Sequence, residues 1–364
     1  MSESNDSGPP EVASQAIEEL SKFASHIGRR WRGSDNLPDL IDNELFSVEG
    51  RFHELGELSL REFDGVPALI RRDIGRLPIF EAAMLSHAAT RIVVSAWGKA
   101  VPEHARYVFA GLSTRAISTV REIAILLDHG YAYGAKSRWR ALSEILVVAR
   151  VIAMGDRFTA TRYKEHRWII LANERAKTGR TEWEANLPSP EVMKRRLVRR
   201  FGAEYAGLYG WAARITARRL GVTKPGWQHL QKLARVDEYI DRVHDAHHSV
   251  HGADAYGLLG TVEAGSGIFH AGASPHGVLN VARDTIRLFR QTLSAIFNIC
   301  FKHADARKPS ILQGIVEVHL LNLEVDLGWR IMSTNPRVCE RYDSAMGDLW
   351  SEAMDLLEDD DIDR

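Results

Sequence analysis

Between Val236 and His276 the chain gathers the side chains best suited to moving protons. Six of its fifteen histidines lie there: His244, His247, His248, His251, His270 and His276. If VDEYIDRVHDAHHSVHG is helical, each residue advances about 100°, and the first four histidines fall within an arc of roughly 100°. They would form one face. Gly252 would then stop the helix, as glycine does just beyond a C-terminus. Imidazole titrates nearest neutral pH, so such a face can supply both an acid and a base. Arg242 precedes His247 by four intervening residues and His248 by five, and a guanidinium there could hold charge on a phosphate. Arg242, His247, His248 and His251 are therefore the candidate catalytic set.

Two other roles fit the same histidines. His247 and His251 have the i, i+4 spacing that puts two imidazoles on one metal ion, with His270, His276, Asp245 or Asp254 as third ligands. No HExxH motif and no cysteine partner accompany them, and no metal or cofactor is expected. Alternatively, histidines in a last helical turn can simply cap free carbonyls and sit favourably at the negative end of the helix dipole.

A second constellation lies upstream. Arg140 and Glu144 are four apart on an apolar helical stretch, followed by Tyr163 and His166 in RYKEH. If that helix is central, the pair is either a buried ion pair holding helices in register or the polar wall of a ligand cavity. Arg140, Glu144, Tyr163 and His166 are the candidate ligand-binding residues. Residues 189–235 are basic, with eleven Lys and Arg against two acids and with Phe201, Tyr205, Tyr209, Trp211 and Trp227 interspersed. That mixture can track phosphates and stack bases, or form a solvated helix face. RNA bound through the 194–235 tract is the partner this composition suggests.

The remaining patterns set the scaffold. The chain has 364 residues, 45% of them hydrophobic, with a formal net charge of −1. It can fill a core and carries no global electrostatic lure for polyanions. Two cysteines outside any CxxC pair suit a reducing cytoplasm, and no secretory signal or membrane span is apparent. No GxxxxGK[ST], strand-GxGxxG-helix or GxSxG pattern occurs, which removes the glycine-loop routes to nucleotides and the serine-hydrolase elbow.

From Leu77 onward apolar residues recur at helical spacing with short breaks, predicting an all-α, antiparallel helical bundle. Its third helix, apolar on nearly every side from Ile145 to Ile152, is expected to be the most buried. Residues 1–10 are expected to be disordered and 11–76 to form an N-terminal appendage with a peripheral helix. Asp64-Gly65 would close a short β-hairpin near 58–71. The main helical domain is placed at 77–330, a C-terminal helix at 331–357, and a solvated acidic tail at 358–364. The glycine-rich segment after Gly252 is expected to be a flap over the histidine face.

Two resemblances follow from these residues. The Arg140/Glu144 helix, Tyr163, and His251 running into Gly252 make the region from about 105 to 300 similar to a widespread bacterial family of uncharacterised all-α proteins, which implies a helical fold and no reaction. Arg242 followed by His247 and His248 also resembles the motif of the HEPN superfamily, helical bundles whose nuclease members use an Arg and a His. That likeness implies a protein acting on RNA, a metal-independent endoribonuclease in stress or phage defence, with His247 or His248 as acid/base and Arg242 as phosphate clamp. On one straight helix an Arg and a His at that spacing point about 120° to 140° apart, so a shared site needs a bend or a homodimer. The alternative is a non-catalytic ligand-sensing or protein-interaction module built on the Arg140/Glu144 cavity.

Overall fold

The computed structural model describes residues 74–96, 101–179, 188–236, 276–301 and 307–334, with residues 20, 22–27, 29–30, 41 and 336–337 beside them. Helices dominate these residues, and no strand occurs among them. In chain order they are α1 (Ile79–Ala96), α2 (Glu103–Asp128), α3 (Ala132–Met154), α4 (Thr159–Glu165), α5 (Arg167–Thr178), α6 (Pro190–Phe201), α7 (Ala213–Leu220), α8 (Trp227–Ala234), α9 (Val278–Phe301) and α10 (Arg307–Ser333). Two 3-10 turns, Ala203–Ala206 and Gly210–Ala212, lie between α6 and α7. The fold is all-α. No helix among the described residues is long and apolar enough to cross a membrane.

The turn between α2 and α3 shows how local sequence sets the topology. Gly130 has a φ of 78°, which lets its N–H reach the carbonyl of Leu127 at 2.9 Å and the Tyr131 N–H reach Leu126 at 2.7 Å. That pair of bonds consumes carbonyls the helix end would otherwise leave bare. Only three residues then separate the two long helices. Because α2 and α3 also pack along one another, they must run antiparallel.

The centre is a trio of α2, α3 and α9, with α1 packed on α2 and α10 packed on α9. Phe109 of α2 meets Phe297 of α9 edge to face, with centroids 5.5 Å apart, a geometry worth roughly 1 kcal/mol beyond the area it buries. Ile145, Leu146, Val147, Ala149, Val151 and Ile152 of α3 are all buried, as the all-round apolar pattern predicts. The expectation that α3 is the most buried helix needs correcting: fifteen of α9's 24 residues are buried against eleven of α3's 23. Both helices keep a polar flank, but that of α3 takes up more of its length.

Leu20, Phe23, Ile27 and Ile41 are buried in the same core cluster, so the helical residues 22–27 are not peripheral. α10 continues to Ser333 without a break and crosses the position expected to divide the main domain from a C-terminal helix. The expected hairpin at 58–71, the disordered 1–10 and the acidic tail 358–364 lie outside the described residues.

Arg150 shows how the polar flank of α3 positions the basic tract. Its Nη1 donates to the carbonyls of Ala234 and Arg235 at 3.0 and 3.1 Å, and its Nη2 donates to Gln291 Oε1 at 2.5 Å. One guanidinium thereby caps the carbonyl end of α8, where positive charge is favoured, and ties it to α3 and α9.

Candidate functional site

The four catalytic candidates, Arg242, His247, His248 and His251, lie outside the described residues, as does most of the expected flap. The ligand-binding candidates lie in the described core, and there a cleft can be built from its walls.

On α2, Tyr107, Gly111 and Arg115 recur every four residues and so share one face. On α3, Arg140, Glu144 and Val148 do the same. These stripes face a cleft closed by Tyr163 of α4, by Tyr209 and Trp211 around the second 3-10 turn, and by Trp227 at the start of α8. The cleft has two adjoining lobes. The inner one, about 340 Å³, is lined by Arg115, Arg140, Glu144, Tyr163, Tyr209 and Trp227 among others. The outer one, about 480 Å³, adds Tyr107, Gly111, Ile170, Leu208, Trp211 and His166. Leu112, Arg115, Val148, Tyr163 and Tyr209 belong to both and form the waist.

Arg140 and Glu144 do bond, with Nε 3.4 Å from Oε1, but their side chains are 31% and 49% exposed. The buried ion pair weighed for them is therefore corrected: α3 is central, yet this flank opens onto the cleft. An exposed i, i+4 pair contributes only a few tenths of a kcal/mol. Arg115 is exposed and, among the described residues, makes no ion pair or hydrogen bond.

The Tyr163 hydroxyl likewise has no hydrogen-bond partner among the described residues. Its ring stands edge-on to Trp211, with centroids 5.0 Å apart and planes at 78°. Burial pushes its phenol up from the ordinary value, and the Arg115 charge opposes that rise. Tyr209 is also pushed up, first by burial and then by the Glu144 carboxylate; its ring lies 5.9 Å from that of Trp227. Both phenols stay protonated and can donate.

His166 plays a different part. It stands between α4 and α5, ending the one and starting the other. Its Nε2–H donates to the Gly207 carbonyl at 2.9 Å, and its ring packs edge-on to Tyr205 at 5.2 Å. Burial pulls its pKa down, while backbone hydrogen bonds to Gly207 and Tyr205 work the other way. It borders the outer lobe, but the ring nitrogen that bonds Gly207 serves to hold the 3-10 segment in place.

That segment is fixed by a junction behind the cleft. Asp156 Oδ1 accepts from the Phe158 N–H at 3.0 Å, Thr159 Oγ1 at 3.0 Å and Arg162 Nη2 at 2.8 Å, anchoring the start of α4. Burial would raise the Asp156 carboxyl, but the hydrogen bond and charge of Arg162 hold it below the ordinary value. The Tyr205 hydroxyl donates to the Arg162 carbonyl at 2.6 Å. Asp156, Arg162 and Tyr205 thus set where Tyr209 and Trp211 can stand. Sequence reading missed this junction, and it placed Tyr209 and Trp227 in the basic tract without assigning them to the cleft. The four-residue repeat of Tyr107, Gly111 and Arg115 was the available signal for the α2 wall.

Fold and cleft together define an all-α protein with an arginine- and aromatic-lined cavity between α2, α3 and α4. Residues 106–259 match the model of a family of unknown function, DUF5677, a span that contains every cleft residue named above. No curated protein and no solved structure matches the chain.

Proposed function

We propose that the protein is a helical ligand-binding module whose cleft takes a small anionic molecule carrying a flat ring. The observation that supports this reading is the pair of unspent donors in an aromatic cavity: the Arg115 guanidinium and the Tyr163 hydroxyl have no protein partner among the described residues. Because Arg115 is exposed, solvent answers its charge, and an anionic ligand can take its donors without displacing a protein partner. The cavity also falls in the size range of small-molecule sites, with convergent polar groups on a mostly apolar lining.

The test is a thermal-shift and tryptophan-fluorescence screen of the full chain against aromatic anions. A saturable rise in melting temperature that disappears in Arg115→Gln and shrinks in Tyr163→Phe supports the reading. A response identical in both variants and wild type overturns it.

A second reading, an HEPN-like protein cleaving RNA through Arg242 and His247 or His248, draws support from the basic tract. α6 displays Arg195, Arg196, Arg199 and Arg200, and α7 displays Arg218 and Arg219; all six are exposed and without carboxylate partners among the described residues. Such arginine faces suit phosphate contacts. Under this reading RNA is cut in the presence of EDTA, and cutting ceases in His247→Ala or His248→Ala. Cutting that survives both substitutions rules the role out.

A further inference from the structure

Resting on the ligand-binding reading above, we propose that the cleft is built for a dianion: a small aromatic phosphomonoester whose phosphate is gripped in the outer lobe by Arg115 and Arg167. The charges along the walls support this choice. In the inner lobe Arg140 and Glu144 bond to one another, which leaves Arg115, at the waist, as the uncancelled charge there. The outer lobe is lined by Arg115, Lys164 and Arg167 and by no carboxylate. The surplus of positive charge therefore collects in one lobe, and a ligand with a single negative charge would neutralise only part of it.

The three cations are held in different ways. Lys164 is answered in part: its ammonium lies 3.5 Å from Glu103 Oε1 and 4.7 Å from the centroid of the Tyr107 ring. Arg167 is exposed, and its guanidinium lies over the Trp168 ring, 5.2 Å from the centroid. A ring contact occupies the face of a guanidinium and leaves its N–H edges free. No carboxylate bonds Arg167 or Arg115 among the described residues. These two guanidiniums come from different walls, Arg115 from α2 and Arg167 from the first turn of α5, and they line one lobe of about 480 Å³, so a group lying between them can take both. A carboxylate has two oxygens and satisfies one fork. A phosphomonoester carries three terminal oxygens and, near neutral pH, a charge of roughly −1.5 to −2, which matches two forks on opposite sides. The rest of the lobe is aromatic and aliphatic, so an organic group on the phosphate stays in contact with it. This recognition uses side chains and owes nothing to a glycine-rich phosphate loop.

Titration of the full chain with phenyl phosphate, phenyl sulfate and benzoate, followed by calorimetry and tryptophan fluorescence at about pH 7.5, above the second phosphate pKa near 6, tests the assignment. Phenyl sulfate keeps the ring and the three oxygens but carries one charge. Phenyl phosphate is expected to saturate below millimolar concentration and to bind about tenfold more tightly than either monoanion, the worth of one charge-assisted contact. Arg115→Gln and Arg167→Gln should each weaken phenyl phosphate by about the same factor and narrow its lead over phenyl sulfate. Arg195→Gln, on α6 and outside the cleft, should leave its affinity unchanged; an equal loss there would mean diffuse attraction and overturns the proposal. At Gly111 a Cβ meets no atom within 4 Å, so Gly111→Leu should fill the lobe and abolish binding while the melting temperature reports an intact fold. Phenyl phosphate that binds no more tightly than phenyl sulfate, that responds to Arg115→Gln but not to Arg167→Gln, or that fails to saturate at millimolar concentration overturns the proposal. If all three probes bind equally and all fail in Gly111→Leu, the ligand cleft survives and the dianion assignment falls.

Discussion

Arg162 and Arg115 flank the same tyrosine, one as the chain neighbour of Tyr163 on α4 and the other across the cleft on α2, and they are used in opposite ways. Arg162 is buried and spends its guanidinium on Asp156 and Thr159 at 2.8 and 2.9 Å. Arg115 is exposed and has no partner among the described residues. The junction behind the cleft therefore holds the fold, and the cleft in front holds unused donors. Burial imposes the difference: a guanidinium out of water must be answered by the protein, while one at a cavity can be answered by something that comes and goes.

The largest effect expected from breaking this contrast is on the junction. Arg162→Ala leaves Asp156 with only the longer, 3.6 Å contact to the exposed Arg214 and should cost about 3 kcal/mol in urea unfolding; a loss under about 1 kcal/mol would make the junction no more structural than the cleft. Gly210→Ala follows. A Cβ there would lie 2.4 Å from the Tyr205 carbonyl oxygen, so the 3-10 turn must open, at about 2 kcal/mol. Tyr205→Phe removes one buried hydrogen bond and should cost about 1 kcal/mol.

Acid should separate the two regions further. The Asp156 carboxyl is held below its ordinary value in the folded state, so its contribution is complete above the unfolded value near pH 4 and is lost as pH falls through the folded value. Wild type is therefore more stable than Asp156→Asn at neutral pH, with the gap closing on acidification. A gap independent of pH would show that the charge is not what matters. The smallest stability effect belongs to the cleft: Glu144→Gln should stay within about 0.5 kcal/mol of wild type. A large destabilisation there would return Arg140 and Glu144 to a purely structural role.

The contrast also shows which parts of the site could be read in advance. Arg140, Glu144 and Tyr163 were visible because a charged pair on an apolar helix and a nearby tyrosine stand out against their surroundings. Arg115 and Gly111 lie on an ordinary amphipathic helix and declare nothing until α3 is laid against α2. Tyr205 and Asp156 are 49 positions apart, and no local pattern foretells that both converge on Arg162.

The sequence by itself determined that the chain is helical and where its long helices turn, since apolar spacing and residues such as Gly130 act over a few positions. It also determined that residues 145–152 of α3 would be largely buried, because no orientation of Ile145 to Ile152 avoids apolar contact. Only the tertiary structure decided that Arg140 and Glu144 open onto a cavity while Arg150, ten residues later, is consumed by α8 and α9. Whether a charge is spent or left available depends on what packs opposite it, and that neighbour comes from a distant part of the chain.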